Sequence, residues 1–193
     1  MLILDALYDI AQAYQEYKTQ AMLFGVAGTV IYFVYSLFHA FAMFFSGKEP
    51  RPIRRAFLRI MIFTLISFYM SYVIYLTLSG REAGSREGIN LRLFSTVIVN
   101  GHLSVHGIEN ILLFIPFGIL IPLLWKMFRK GYRLILLAFI VSMVIEMMQL
   151  LTHRGFFELD DILLNTFGAW VGYLVVYFFS LPFSLSADSP RPR

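Results

Sequence analysis

The sequence predicts an all-α membrane protein, a bundle of about five transmembrane helices with the N-terminus outside and the C-terminus inside. Three observations support this prediction: the composition, a series of long apolar segments, and the charges between them. The chain of 193 residues is 59% hydrophobic and 15% charged, with a mean hydropathy of +0.71. This balance lies outside the range of a soluble domain, so the lipid bilayer is the first predicted partner.

Five segments are long and apolar enough to cross about 30 Å of hydrocarbon as helices. They lie near residues 21–45, 57–79, 110–128, 132–151 and 161–182. Residues 1–20 contain acids where a signal peptide needs basic residues, so no cleavable leader is predicted. Their apolar residues recur at helical spacing. This pattern predicts either an amphipathic helix on the membrane surface or a polar helical extension of the first span.

The charges in the connections predict the orientation, because Lys and Arg are enriched in cytoplasmic loops. The first and third connections are basic, whereas the N-terminal segment and the second and fourth connections are balanced or acidic. The basic residues of the two predicted cytoplasmic connections are Lys48, Arg51, Arg54, Arg55, Lys126, Arg129, Lys130 and Arg133. The alternation agrees with a multi-pass protein of the cell membrane. We therefore interpret the net charge of +4 as an orientation signal and predict no nucleic-acid partner.

The spans divide the chain into four predicted regions. These are an amphipathic N-terminal segment at 1–20, an extra transmembrane helix with a basic loop at 21–56, the main transmembrane domain at 57–183, and a flexible tail at 184–193. The longest connection, 80–109, contains the apolar run LFSTVIV at 93–99, which is too short to span a membrane. That run is interfacial, re-entrant or packed over the helices, and the sequence does not choose among these.

A polar stretch from Glu146 to Asn165 interrupts sequence that otherwise belongs in lipid. Ionisable groups at membrane depth are costly, so their presence indicates a functional site. In the predicted topology three spans bring polar groups to one pocket at the outer face. The predicted pocket residues are Asn110, Glu146, Gln149, Arg154, Asp160, Asp161 and Asn165. In the alternative interpretation they only hold helices together, with Glu146 bonded to Asn165 or paired with Arg154.

Small residues predict close helix packing on two of the spans. Gly168 and Gly172 form a GxxxG pattern in line with Asp161 and Asn165, which lets another helix come close. In one interpretation that helix is the fourth span. Gly118 permits a close contact on the third span. Pro116 either kinks that span and opens a cavity or is a packing feature.

The sequence contains one alternative set of metal ligands. His102, His106 and Glu109 have spacings of 4 and 3, so a helix would place them on one face, where Asp160 or Asp161 could join them. No HExxH or comparable signature accompanies them. We therefore predict no metal and no cofactor, and no catalytic residue is assigned, because no nucleophile elbow or Ser-Lys pair is present. The absence of cysteine excludes a thiolate ligand or nucleophile.

Several motifs, taken in order, resemble the VanZ-like family of small bacterial membrane proteins. They are Asn110 with FIPFG at 114–118, Ser142 with IEMMQ at 145–149, Arg154, and LDDILLNTFGAWVGY at 159–173. The resemblance covers about residues 60–180, which makes the first span an addition to a four-helix core. The chain differs from the family in the long connection. The family often has a proline soon after an Asn-Leu pair, whereas Asn90-Leu91 is followed here by Arg92.

The family takes its name from a member associated with resistance to teicoplanin, a glycopeptide antibiotic that carries a fatty acyl chain. The resemblance implies that the predicted pocket residues are the important ones. It favours a non-enzymatic protein whose outer pocket binds an amphiphile, either a lipoglycopeptide or a lipid-linked cell-wall precursor. Two alternatives stay open: an enzyme acting on an outer-leaflet lipid or lipid-linked intermediate through Glu146, Asp160 or Asp161, and a structural partner of another membrane protein. No oligomeric state is predicted.

Overall fold

The computed structural model describes residues 2–46, 53–79, 84, 88–99 and 102–187 of the chain. Among these residues, five helices are long and apolar enough to cross a membrane. They are Met22–Met43, Arg54–Leu78, Val105–Leu124, Gly131–Leu151 and Leu159–Phe179. The predicted all-α membrane fold is therefore confirmed, and the orientation across the membrane stays a prediction.

The candidate spans belong to five α-helices, which satisfy their backbone hydrogen bonds internally as the lipid core requires. They are α1 Leu2–Phe45, α2 Ile53–Ile74, α3 Val105–Leu124, α4 Gly131–Leu151 and α5 Leu159–Ala187. A π-helix, Tyr75–Ser79, continues α2, and a 3-10 turn, Lys126–Arg129, connects α3 with α4. The connections at 47–52 and most of 80–87, whose charges entered the orientation argument, lie outside the described residues.

The predicted N-terminal segment and the first span form one continuous helix, α1. The hydroxyl of Tyr72 donates to the carbonyl of Ile10 at 2.5 Å, so the N-terminal part of α1 contacts α2. Further along, the rings of Tyr32 and Phe63 stack with centroids 3.9 Å apart. Many large apolar side chains of α1 are exposed, as expected for a helix surrounded by lipid.

The connection between α2 and α3 contains short strands. β1 (Ile89–Asn90) pairs with β4 (Phe157–Glu158), where the amide of Phe157 donates to the carbonyl of Gly88 at 3.0 Å. β2 (Ile98–Val99) pairs antiparallel with β3 (His102–Leu103). The apolar run at 93–99 is thus a turn followed by a strand. Strands of two residues are too short to show an alternating pattern in the sequence.

The third span begins five residues before the predicted position 110, because α3 has an N-terminal cap that hydropathy does not report. Ser104 precedes the helix in an extended conformation, and its Oγ accepts the amide of Gly107 at 3.1 Å. The same hydroxyl donates to the carbonyl of Thr96 at 2.5 Å, which ties the cap to the preceding turn. α3 then continues unbroken through Pro116 and Pro122.

The chain forms two compact units. The first unit contains Ile3–Asn90 and Ile145–Phe157, and the second unit contains Leu91–Val144 and Glu158–Arg193. The first unit therefore holds α1, α2 and the end of α4. The second unit holds α3, most of α4, and α5.

Glycines bring α3 and α5 of the second unit to backbone contact. A Cβ atom at Gly168 would overlap the carbonyl oxygen of Ile111, and one at Gly172 would overlap that of Ile115. Gly118 makes the reciprocal approach to the backbone of α5. The two glycines of the stripe thus pack on α3, whereas Asn165 of the same stripe contacts the fourth span through its bond to Ser142. Such a pattern predicts that some helix comes close but does not specify which one.

Candidate functional site

Asp160 anchors the turn that precedes β2. Its Oδ1 accepts the amide of Phe94 at 2.7 Å, and its Oδ2 accepts the amide and the hydroxyl of Thr96 at 3.0 and 2.9 Å. The carboxylate lies in the first turn of α5, where the helix dipole favours negative charge. These bonds also support the positive φ of Phe94, 62°, which is unusual for a residue other than glycine. This predicted pocket residue therefore has a structural role.

Asp161 belongs to a different group of side chains, which we call the His106 cluster: His106, Glu109, Glu158 and Asp161. Asp161 Oδ2 lies 3.3 Å from His106 Nε2, and Glu109 Oε2 lies 3.6 Å from His106 Nδ1. His106, Glu158 and Asp161 each offer one ligand atom, and these three atoms lie within 4.8 Å of one another. The side chain of His106 is 41% exposed and that of Asp161 is 7% exposed. The cluster therefore has an accessible side and a buried side.

The close approach of α3 and α5 explains why these residues meet. His106 and Glu109 are three positions apart in the first turns of α3, so they share one face of that helix. Glu158 ends β4, and Asp161 lies in the first turn of α5. Since the glycines hold the two helices in contact, the beginnings of both helices bring the four side chains together.

The helical spacing proposed for the alternative metal ligands is wrong at His102. This residue lies in β3, and α3 begins only at Val105, so His102 does not share the helical register of His106 and Glu109. Its side chain lies outside the described residues. Glu158 was not among the predicted ligands, but it belongs to the His106 cluster. Its spacing of three from Asp161 was visible in the sequence, but the strand-to-helix junction that places it there was not.

Two asparagines add buried amides to the second unit. Asn165 Nδ2 donates to Ser142 Oγ at 2.8 Å, which joins α5 to α4. Among the described residues, Asn110 Nδ2, Asp161 Oδ1 and Asn165 Oδ1 are buried atoms without a hydrogen-bond partner. Such an atom costs about 1–3 kcal/mol when it stays unsatisfied. An ordered water or a bound polar group would satisfy such atoms.

In the first unit, Gln149 and Arg154 donate hydrogen bonds to backbone carbonyls at the end of the second span. Gln149 Nε2 donates to the carbonyl of Thr77 at 3.1 Å, and Arg154 Nη1 donates to the carbonyl of Leu78 at 2.5 Å. Both carbonyls belong to the π-helix Tyr75–Ser79, and the last carbonyls of a helix have no partner within it. These two predicted pocket residues therefore satisfy backbone groups that would be costly near lipid.

An apolar cavity of about 330 Å³ lies beside this end of the second span. It is lined by Phe24, Gly28, Ser67, Met70, Ser71, Ile74 and Tyr75. Tyr75 precedes Thr77 by two residues, so the cavity and the carbonyls bound by Gln149 and Arg154 are adjacent along one helix. Small-molecule sites typically have about 300–1,000 Å³. The sequence did not indicate this cavity, because its lining residues have the composition of ordinary helix contacts.

The predicted pocket residues are distributed over both units. Glu146, Gln149 and Arg154 belong to the first unit, and Asn110, Asp160, Asp161 and Asn165 belong to the second. Glu146 is 2% exposed and Gln149 is also 2% exposed. Gln149 and Arg154 have a structural role through their bonds to the second span, and the further donors of Arg154 and the Oε1 of Gln149 leave both residues able to contact a ligand as well.

A family model described as VanZ/LLP1 matches residues 32–180 of the chain. The match begins within α1, earlier than the resemblance at about residue 60, and it ends in α5. The second half of the first span is therefore part of the matched region and not an addition to it. No curated protein and no solved structure matches the chain.

Proposed function

This chain belongs to the VanZ/LLP1 family, and on that basis we propose that it is a multi-pass protein of the cell membrane that binds an amphiphilic ligand in the outer leaflet. The ligand is a lipoglycopeptide of the teicoplanin type or a lipid-linked cell-wall precursor, since both combine a long apolar chain with a polar head. Binding of such a molecule protects the cell envelope. The proposal combines the family, the five candidate spans and one feature of the first unit.

The apolar cavity of the first unit carries the proposal, because it lies beside the helix end that Arg154 contacts. An apolar chain placed between α1 and α2 would lose its contact with water, which contributes about 25 cal/mol per Å² of buried apolar surface. An anionic or hydrogen-bonding head would then meet the guanidinium of Arg154. That group has five N–H donors, and its bond to Leu78 uses one of them. Gln149 Oε1, a buried atom without a hydrogen-bond partner among the described residues, adds an acceptor.

The predicted topology supports the outer leaflet as the location. Phe24 lies near the beginning of the first candidate span, and Tyr75 lies near the end of the second. With the N-terminus outside, both positions are in the outer half of the membrane. Lipid-linked wall precursors and glycopeptide drugs meet in that compartment.

Binding of an acylated glycopeptide to the full chain in lipid nanodiscs tests this proposal. We expect saturable binding to the unchanged protein and weaker binding to Ile74→Trp, because the larger side chain fills the cavity. Arg154→Gln should weaken binding by about tenfold or more, since a hydrogen bond to a charged group contributes about 1.5–3 kcal/mol. A glycopeptide without the acyl chain should bind much more weakly than the acylated one.

Two matched variants serve as controls. Leu23→Trp enlarges an exposed side chain of α1 next to the cavity residue Phe24, and Arg133→Gln removes an arginine of the second unit. Both should bind like the unchanged protein. A lipid-linked precursor is the second probe, and binding of this probe alone with the same dependence on Ile74 and Arg154 would identify it as the ligand. Failure of both probes to bind would contradict the proposal.

The enzymatic alternative is weakened at one residue. Asp160 accepts three hydrogen bonds from the turn at 94–96, so both oxygens are engaged in holding that turn. A carboxylate in this position is poorly suited to act as a general acid or base. Asp161, which lies beside a histidine, is the better acid for that alternative.

A further inference from the structure

We propose that the His106 cluster binds a divalent metal ion, with His106, Glu158 and Asp161 as its ligands. One donor atom from each residue lies within 4.8 Å of the other two. Metal–ligand distances of about 2.0–2.2 Å allow two ligands of one ion to be at most about 4.4 Å apart. A small movement of the side chains therefore brings all three atoms to a common ion.

The charges of the cluster favour a cation. Glu158 and Asp161 place two carboxylates near one imidazole, and Glu109 adds a third carboxylate on the other side of the ring. Carboxylates that lie close together repel each other, and a cation between them favours their charged forms. A divalent ion would offset the repulsion among these carboxylates.

A buried oxygen of Asp161 provides independent support. Asp161 is 5% exposed, and its Oδ1 is a buried atom for which the described residues provide no hydrogen-bond partner. The same carboxylate points into the cluster, since its Oδ2 lies 3.3 Å from His106 Nε2. Leaving a buried carboxylate oxygen without a partner is costly. Coordination of an ion would satisfy it.

Glu109 is suited to orient the imidazole of His106. Its carboxylate lies 3.6 Å from Nδ1, and Nε2 is directed towards Asp161. Histidine ligands of metals usually donate their other ring N–H to a carboxylate or carbonyl, which selects the tautomer and increases the basicity of the coordinating nitrogen. We therefore assign Nε2 as the ligand atom and Glu109 as a positioning residue.

The donor set indicates which ions fit. One imidazole nitrogen and two carboxylates suit Zn²⁺, Mn²⁺ or Fe²⁺. Ions that require thiolate ligands do not fit, because the chain has no cysteine. Three protein ligands leave at least one coordination position open, and the partly exposed His106 makes that position accessible to water. The site does not include the cavity residues of the proposed function and does not depend on it.

Titration of the full chain in nanodiscs with Zn²⁺, and separately with Mn²⁺, tests the proposal. The protein must carry no polyhistidine tag, and calorimetry measures the binding. We expect one ion per chain for at least one of the two metals. Asp161→Asn and His106→Gln should each abolish saturable binding, whereas Glu109→Gln should weaken it by about 10–100-fold, because it removes only the orienting group.

His39→Ala is the matched control, since it removes a histidine of α1 that lies beside Tyr35 and outside the three ligands. This variant should bind the metal like the unchanged protein. Thermal unfolding separates loss of the site from loss of the fold. An ion that binds only the native state raises Tm, so the metal should raise the Tm of the control but not that of Asp161→Asn.

Two results would overturn the proposal. One is that the unchanged protein binds neither Zn²⁺ nor Mn²⁺ saturably. The other is that His106→Gln and Asp161→Asn bind the metal as tightly as the unchanged protein. If Asp161→Asn does not fold, metal binding by His106→Gln decides the question. The side chain of His106 is 41% exposed, so its replacement disturbs little packing.

Discussion

Asp160 and Asp161 are adjacent and chemically identical, yet the structure gives them different environments. Asp160 accepts hydrogen bonds from backbone and hydroxyl groups of the turn at 94–96. Asp161 faces a histidine, and its buried Oδ1 has no hydrogen-bond partner among the described residues. Consecutive residues of a helix point about 100° apart, so the pair diverges into two surroundings. An acidic pair in a sequence is therefore not by itself evidence of a single acidic site.

Replacement of the two acids should separate their roles. Asp160→Ala removes the acceptor of three hydrogen bonds and leaves the amides of Phe94 and Thr96 unpaired. We expect it to lower the free energy of unfolding by about 3 kcal/mol or more, since hydrogen bonds to charged groups contribute about 1.5–3 kcal/mol each. Asp161→Asn in metal-free protein should change this free energy by less than about 1 kcal/mol, because it also relieves repulsion with Glu158.

Denaturant unfolding in detergent measures both changes, and limited proteolysis of the turn at 94–96 adds a local measurement. Asp160→Ala should expose this turn to protease. Equal destabilisation by the two variants would contradict the division into a structural and a ligand-binding acid.

The packing of α3 on α5 shows how a backbone contact supports a site of side chains. The glycines of α5 allow its backbone to touch that of α3, and the first turns of both helices carry the His106 cluster. Small residues are common where membrane helices pack closely, because lipid provides little hydrophobic driving force between helices. The helix contact therefore determines whether the ionisable side chains can meet.

Gly172→Leu should disrupt both the packing and the cluster. The new side chain would overlap the carbonyl of Ile115. Overpacking typically costs about 1–3 kcal/mol, and we expect the free energy of unfolding to fall by more than this because the overlap is with backbone. Trp170→Leu, a partly exposed position on the same helix, is the control and should change Tm little. Thermal unfolding and Zn²⁺ titration of both variants check this expectation. Normal stability of Gly172→Leu would contradict the backbone contact.

The orientation of the whole protein rests on charge alone, and the absence of cysteine makes it easy to test. Single substitutions Ser46→Cys, Leu91→Cys and Lys130→Cys introduce one thiol each at exposed positions in three connections. With the N-terminus outside, a membrane-impermeant maleimide should label only Leu91→Cys in intact cells. The other two should be labelled after permeabilisation. The reverse pattern would contradict the predicted topology.

Hydropathy predicted the spans well but the ends of the helices less well. A bilayer requires about 20 apolar residues per helix, and this requirement is visible in composition. The first turn of α3 contains His106 and Gly107 and depends on the Ser104 cap, so it does not contribute to an apolar average. Hydropathy is likewise silent about the polar N-terminal part of α1, so a continuous helix there was only one of two predicted alternatives.

The sequence by itself determined the membrane class, the five candidate spans, the family and most of the polar residues of interest, because each depends on composition or on order along the chain. Only the tertiary structure decided which of these residues are structural and which meet at a site. The bond between Phe94 and Asp160 joins residues 66 positions apart, and that between Leu78 and Arg154 joins residues 76 apart. Hydropathy and local spacing carry no information about such pairs, since the pairs form only when helices pack.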